Sequence, residues 1–226
     1  MKKTRILING ADGKMGRAMQ RLIQENPQLN LTVAATRGAG QTVDADFDVV
    51  IDFSTPQGAA EAFSLAKARQ KAFLTGTTNL PEEFLSQLKT EKSIPVFFAP
   101  NVSLSVYFFT ELAKQAAAMY KNYRIRLHEI HHVHKKDAPS GTAKKLAEAV
   151  GVPAADVTYE RIGETVGTHE VKLDTPFDEI SLTHKALNRD LFALSALEIA
   201  AWLVTCEKGY YTMSDYAKFK LKENEK

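Results

Sequence analysis

The chain has 226 residues, a formal net charge of +2, and 44% hydrophobic and 25% charged content. That balance suits a soluble globular protein and makes no case for nucleic acid or a membrane surface as partner. The length allows one large domain or two small ones, and the single Cys206 excludes an internal disulfide and fits a reducing cytoplasm.

The first apolar run, Ile6 to Ile8, is too short for a signal-peptide core. No segment approaches the length of an apolar membrane span. Arg5 to Asn9 reads as a strand. Lys14 to Glu25 reads as a helix with Met15, Met19, Leu22 and Ile23 on one face. Strands follow at Leu31 to Ala35 and Asp48 to Phe53, then a helix led by Pro56 to about Arg69. Ala72 to Thr75 and Pro95 to Ala99 are further strands, separated by a helix from Pro81 to about Lys89. Alternating strands and helices predict a parallel sheet covered on both faces.

The character changes after Asn101. A long apolar helix from Val106 to Tyr120 leads to a strand at Arg124 to Ile130. Gly141 to Val150 reads as a helix ended by Gly151. The runs Val157 to Ile162, His169 to Leu173 and Glu179 to His184 read as antiparallel strands, because the last two are joined too closely for a crossover. Asp190 to Cys206 is a helix almost without charge, which predicts burial. The expected architecture is α/β: a boundary near residue 102 separates an α/β domain with a parallel sheet from an α+β domain on a mixed or antiparallel sheet, and the tail after Gly209 could belong to either.

Directly after the first strand stands GADGKMG, residues 10 to 16. Gly10, Gly13 and Gly16 allow a tight turn and bring backbone N–H groups to a diphosphate at the next helix N-terminus. A glycine pattern alone is weak; its place between strand and helix makes it a dinucleotide fingerprint. Gly10, Ala11, Asp12, Gly13, Lys14 and Met15 are the expected cradle. The second strand ends at Thr36-Arg37 without the carboxylate that would hold the ribose 2′-hydroxyl of NAD, and Arg37 could instead meet a 2′-phosphate. NADPH is therefore expected to serve at least as well as NADH. Two more loops, Gly76-Thr77-Thr78 and Ala99-Pro100-Asn101-Val102-Ser103, follow later strands at the carboxyl ends where such sheets bind ligands. Their small residues leave room for a nicotinamide.

The richest stretch chemically is EIHHVHKKDAPSGT, residues 129 to 142. If the strand runs on, Glu129, His131, Val133 and Lys135 share one face. A histidine can deliver a proton near neutral pH, and a lysine can hold a carboxylate. Asp137 could orient the loop. Pro139-Ser140-Gly141-Thr142 then offers N–H groups and a hydroxyl at a helix start, a second anion site. Two anion-binding features suggest a small dicarboxylate substrate. A metal site is the rival, with four histidines and a glutamate between residues 128 and 134. The spacing is not HExxH, and two adjacent lysines would repel a cation, so no metal is expected.

In order along the chain, GADGKMG, Asp52-Phe53-Ser54-Thr55-Pro56, Gly76-Thr77-Thr78, APNVSLSV at 99–106, EIHHVHKKDAPSGTA at 129–143 and THKALNRDLFALSALEIAAWL from Thr183 resemble the 4-hydroxy-tetrahydrodipicolinate (dihydrodipicolinate) reductases. The histidine segment is the specific part. The resemblance implies NADH- or NADPH-dependent reduction of a cyclic unsaturated dicarboxylate in the diaminopimelate route to lysine. It implies His131 as proton donor and Lys135 as carboxylate holder and assistant. It also implies substrate contacts at His132, Gly141 and Thr142, and cofactor contacts at Gly10 to Met15, Gly76 to Thr78 and Ala99 to Val102. The resemblance further implies a Rossmann-type dinucleotide-binding domain at residues 1–102, joined by the C-terminal tail at about 207–226, and a substrate-binding and oligomerisation domain at residues 103–206, in a cytoplasmic homotetramer joined through the second domain's sheets.

The chain departs from the family pattern in places. Thr36 replaces an acid, the loop from Gly38 to Asp46 is short, and Asn79, Ser105 and Ser195 stand where glycines are usual. A nucleotide sensor on the same fold is the competing class, since fold does not settle function. A sensor would not need the histidine and lysine pair. A related reductase acting on a different dicarboxylate or imine is the third reading.

Overall fold

The computed structural model describes residues 3–27, 31–37 and 43–224; for 34–37 and 224 the description is limited to the backbone. The chain divides into two units. The first comprises Met1–Val102 and Asp190–Lys226, the second Ser103–Arg189.

The first unit is built on six strands: β1 (Thr4–Asn9), β2 (Leu31–Arg37), β3 (Val49–Asp52), β4 (Ala72–Thr75), β5 (Pro95–Phe98) and, from the tail, β10 (Gly209–Tyr211). They form one sheet in the order β10-β5-β4-β3-β1-β2, with every pair parallel. The strands read as unbroken apolar runs because both faces are covered. Ile6, Leu7, Ile8, Val49, Val50, Ile51, Phe73 and Leu74 are fully buried. Helices α1 (Lys14–Glu25), α2 (Pro56–Ala68) and α3 (Glu82–Thr90) supply the crossovers. Helix α2 starts where it does because the Thr55 hydroxyl accepts the Gly58 N–H at 3.1 Å and Pro56 occupies the first turn. The order of strands reverses between β1 and β3. Ligands of such sheets bind outside the carboxyl ends at that reversal.

The charge-poor helix α6 (Asp190–Leu203) belongs to this first unit. The sequence pattern predicts it within residues 103–206 of the second domain, and the structure instead packs it on α1, β3, β4 and β5. Its Ala193, Ala196, Leu197, Ile199, Ala200 and Leu203 are solvent-inaccessible. Arg21 of α1 clasps Asp190 at 2.6 Å at its start. Trp202, near its end, meets Phe97 of β5 edge-on at 6.3 Å, and also Tyr211, Tyr216 and Phe219. Tyr216 and Phe219 lie on the closing helix α7 (Met213–Asn224).

The second unit holds α4 (Leu104–Met119), β6 (Arg124–His131), α5 (Gly141–Val150), β7 (Thr158–Arg161), β8 (Gly167–Asp174) and β9 (Glu179–Ala186). Its sheet runs β7-β6-β8-β9. β8 pairs antiparallel with β6 and β9, but β7 pairs parallel with β6. The sheet is therefore mixed, and the reading of residues 157–162 as antiparallel is corrected. Helix α5 is the crossover that returns the chain in the same direction. Helices α4 and α5 cover one face, where Phe109, Ala113, Leu127, Leu146, Val171 and Leu173 form the core. Gly151 closes α5 in the left-handed conformation at φ +75°.

Among the described residues no helix is long and apolar enough to cross a membrane.

Candidate active site and cofactor cradle

The glycine turn is shaped by close approach. Gly10 sits at φ +82°, and a Cβ there would stand 2.3 Å from the Phe53 carbonyl oxygen. A Cβ on Gly16 would lie 2.4 Å from the Gly10 oxygen, so the third glycine lets α1 press on the turn. The Gly13 N–H donates to the Gly10 carbonyl at 3.1 Å and closes the turn. Asp12, Gly13 and Lys14 are exposed around the start of α1. Gly13 occupies the N-cap and brings no side chain to the first N–H groups of the helix. This backbone fits a dinucleotide diphosphate, whose charge the helix end favours.

The Gly76-Thr77-Thr78 loop is held by a feature that sequence reasoning missed. Asp52, at the carboxyl end of β3, is completely buried. Its Oδ1 accepts from Asn9 Nδ2 at 2.6 Å and Ser54 Oγ at 2.5 Å, and its Oδ2 accepts from the Thr75 and Thr77 hydroxyls at 2.7 Å each. The Thr77 hydroxyl in turn accepts the Ser54 N–H at 2.9 Å. One carboxylate thus ties together the ends of β1, β3 and β4. The Thr77 side chain is used up internally, leaving the loop's backbone for a ligand. A Cβ on Gly76 would meet the Phe53 ring at 2.1 Å. Next in the chain, Asn79 has φ +57°, which explains why glycine is usual there; asparagine is among the side chains that tolerate that region best. Ala99 and Val102 are buried, Asn101 is half-buried and Pro100 is exposed. Arg37 ends β2, opposite Asn9 in register. Its side chain, and residues 38–42 of the adjoining loop, lie outside the described residues.

In the second unit the proton-carrying segment departs from its expected geometry. Strand β6 stops at His131, whose carbonyl accepts the Ile162 N–H at 2.8 Å. The chain then turns, with the Val133 N–H on the Gly163 carbonyl and the Lys135 N–H on the His132 carbonyl. Glu129 and His131 do share the inward face of β6, but Val133 and Lys135 are loop residues. Lys135 reaches Asp137 at 2.7 Å, and this pairing pulls the Asp137 carboxyl below its usual range.

Glu129 is the centre of this site, with no accessible surface. Its Oε1 accepts the Ser140 N–H at 3.0 Å and Arg161 Nη2 at 3.2 Å. Its Oε2 faces His131 Nδ1 at 3.4 Å and His169 Nε2 at 3.7 Å. Burial pushes the Glu129 carboxyl up, but Ser140, the charge of His131 and Arg161 outweigh it and hold it below the ordinary value. Burial pushes His131 down; Glu129 opposes this, while Lys135, Arg161 and His132 add to it. His169 is pushed to about 4, by burial first and then by His131. The nearest ligand atoms of Glu129, His131 and His169 lie within 4.8 Å of one another. The Arg161 guanidinium already occupies the other oxygen of the same carboxylate, and a cation placed among the three would meet its repulsion.

Ser140 links this cluster to α5. Its hydroxyl caps the helix by accepting the Ala143 N–H at 3.1 Å, and it stands 3.3 Å from His169 Nε2. Gly141 is exposed and Thr142 half-buried at the same helix end. His132 is half-buried, and burial, followed by the nearby Arg189 charge, lowers its pKa. His134 is exposed, 3.7 Å from Glu164. The structure thus gathers His131, Lys135 and the α5 start in one unit and the cofactor loops in the other. Arg161 and His169 were not foreseen. His169 alternates with Val171 and Leu173 along β8, and an inward polar side chain in such a strand was the available signal.

Two family descriptions match the chain. "Dihydrodipicolinate reductase, N-terminus" covers residues 4–102 and "Dihydrodipicolinate reductase, C-terminus" covers residues 105–216. The chain belongs to the dihydrodipicolinate reductase family. It is 37% identical to the 4-hydroxy-tetrahydrodipicolinate reductase of Xanthomonas campestris pv. campestris strain B100, over 93% of this chain and 96% of that one. A 4-hydroxy-tetrahydrodipicolinate reductase from Campylobacter jejuni is 32% identical, over 94% of this chain and 98% of that one. A dipicolinate-bound dihydrodipicolinate reductase from Paenisporosarcina sp. TG-14 shares the fold at TM-score 0.77 and 20% identity, covering 93% of this chain and 97% of that one. As a dihydrodipicolinate reductase family member the chain is an NAD(P)H-dependent oxidoreductase.

Proposed function

We propose that the chain reduces 4-hydroxy-tetrahydrodipicolinate to tetrahydrodipicolinate with NADPH or NADH, in the diaminopimelate route to lysine. The observation that carries the residue assignment is His131, buried at the end of β6 beside Glu129, with Lys135 and the α5 start in the same segment. Family membership supports the substrate.

In this reading Gly10 to Met15, Gly76 to Thr78 and Ala99 to Val102 hold the cofactor, and Arg37 accepts a 2′-phosphate. A bound nicotinamide supplies the hydride. His131 delivers the proton that completes the reduction. Lys135 exchanges Asp137 for one substrate carboxylate, since an ammonium held by a single exposed acid is easily recruited. Gly141 and Thr142 grip the other carboxylate at the positive end of α5, beside His132. The dianionic substrate favours the protonated imidazole that burial disfavours, so binding charges the acid at the moment it is needed.

A cytoplasmic homotetramer completes the proposal. It draws on the exposed outer residues of the edge strand β9, Glu179, Ser181, Thr183 and Lys185, as a pairing surface.

Steady-state assays following loss of reduced-cofactor absorbance test the reading. His131→Gln is expected to lower kcat by about 10²–10⁴ with near-normal NADPH affinity. An unchanged kcat rejects the acid role. A strong preference for NADH over NADPH rejects the role of Arg37.

A further inference from the structure

Two buried polar atoms, Glu129 Oε2 and His131 Nδ1, have no hydrogen-bond partner, and they face each other at 3.4 Å. His169 Nε2 stands farther from Oε2, at 3.7 Å, and lies closer to the Ser140 hydroxyl at 3.3 Å. Ser140 serves the Glu129 carboxylate through its N–H on Oε1 and through its hydroxyl. Of the two imidazoles beside Oε2, His131 Nδ1 is the nearer and has no other partner. On the far side of the ring, a Cβ on Gly167 would stand 3.1 Å from His131 Nε2. Glycine at that position leaves the Nε2 edge uncrowded.

We infer that Glu129 is the positioning residue of the proton donor: its carboxylate holds His131 through Nδ1–H and so leaves Nε2 as the nitrogen that carries the delivered proton. The inference rests on the reading of His131 as the acid. In the delivery step the Nε2–H bond breaks, a bond to the substrate's accepting atom forms, and the electron pair of the N–H bond stays on the imidazole. Nδ1–H stays in place toward Glu129, and no proton passes to the carboxylate. The negative charge of Glu129 offsets that of the imidazolium before transfer. This charge must prevail over the other groups around the ring: Lys135 and His132 from the loop, Arg161 from β7 and His169 from β8. Around Glu129 itself stand Ser140, Arg161, His131 and His169, and His184 of β9 weighs on His169.

The first test is ¹⁵N NMR of the imidazoles in the full-length wild-type protein, with His131→Gln identifying the His131 signals among the six histidines. Neutral His131 is expected as the Nδ1–H tautomer. Finding it as Nε2–H overturns the inference, with no need for a folded Glu129 variant. The second test compares pH profiles of kcat for wild type and Glu129→Gln. Protonated His131 is the active form, so activity falls as pH rises through its pKa. Removing the negative charge is expected to move that falling limb down by about one pH unit or more. It should also lower kcat by about 10–100-fold, the usual cost of losing a group that orients a functional histidine. KM for NADPH should not change. An unmoved limb in a variant whose thermal melting is retained overturns the inference. If His131→Gln retains kcat, the acid assignment itself fails; if it loses kcat while Glu129→Gln leaves the limb in place, only the role of Glu129 fails.

Discussion

Replacing Asp52 with alanine removes four hydrogen bonds at once, but the groups left behind are not equally stranded. Asn9 Nδ2 keeps Ser54 Oγ at 3.0 Å and the Gly58 carbonyl at 3.2 Å. The Thr75 and Thr77 hydroxyls, both buried, lose the acceptor that binds them. Two stranded buried hydroxyls at about 1–3 kcal/mol each give a loss of roughly 2–6 kcal/mol. For a chain of this size that is a fall in Tm of about 4–24 °C. Asp52→Asn should be milder, at roughly 1–2 kcal/mol. Its remaining oxygen still accepts from Asn9 and Ser54, and the two threonine hydroxyls can turn to accept from the new amide. Urea denaturation of wild type and both variants reads the order directly. NADPH titration should show weaker binding for Asp52→Ala, because the Gly76 to Thr78 loop loses its anchor. Equal urea midpoints for the three proteins would refute the view that this carboxylate ties the strand ends together.

Three other outcomes follow from the geometry. Lys135→Ala should lower kcat and raise the KM for substrate by about 10-fold or more, as expected for loss of a charge-assisted contact; an unchanged KM removes it from the carboxylate site. His169 has a folded pKa of about 4, below the ordinary unfolded value. Its contribution to stability is therefore present at neutral pH and lost as pH falls from about 6.5 toward 4, on the order of 2–3 kcal/mol. Denaturation midpoints measured between pH 7 and 4.5 should fall less steeply for His169→Gln, and parallel curves would contradict this. At Asn79, φ +57° makes Asn79→Gly neutral or stabilising and Asn79→Ala destabilising by about 1 kcal/mol; melting curves for the pair in the reverse order would show the backbone is not under that demand.

Much of the fold was legible because each buried parallel strand writes a short apolar run, as in Val49–Asp52 and Ala72–Thr75, and the crossover helices α2 and α5 announce their starts through Pro56 and Ser140. The address of α6 was not legible. A helix buried nearly all round shows no polar stripe to say which sheet it faces, and its partners on α1 and β5 lie far away in sequence. Lys135 was placed on a strand face by extending a period-two pattern past His131, where hydrogen bonds to Ile162 and Gly163 turn the chain instead. His131 stood out by its neighbours in sequence. Arg161 and His169 reach the same carboxylate from other strands, and no local spacing could place them there.

The first unit is split by the second. Strand β5 is complete at Phe98, but the strand that covers its edge ends only at Tyr211. At ordinary translation speeds, the ribosome needs roughly 5–20 s to make the chain in between. For that interval the nascent nucleotide-binding half has an open, apolar strand edge and an unfilled groove where α6 will lie. Residues 103–189 are meanwhile complete enough to fold. The vulnerable species in production of this protein is therefore the unfinished chain, exposed to strand-edge aggregation before its last 37 residues arrive.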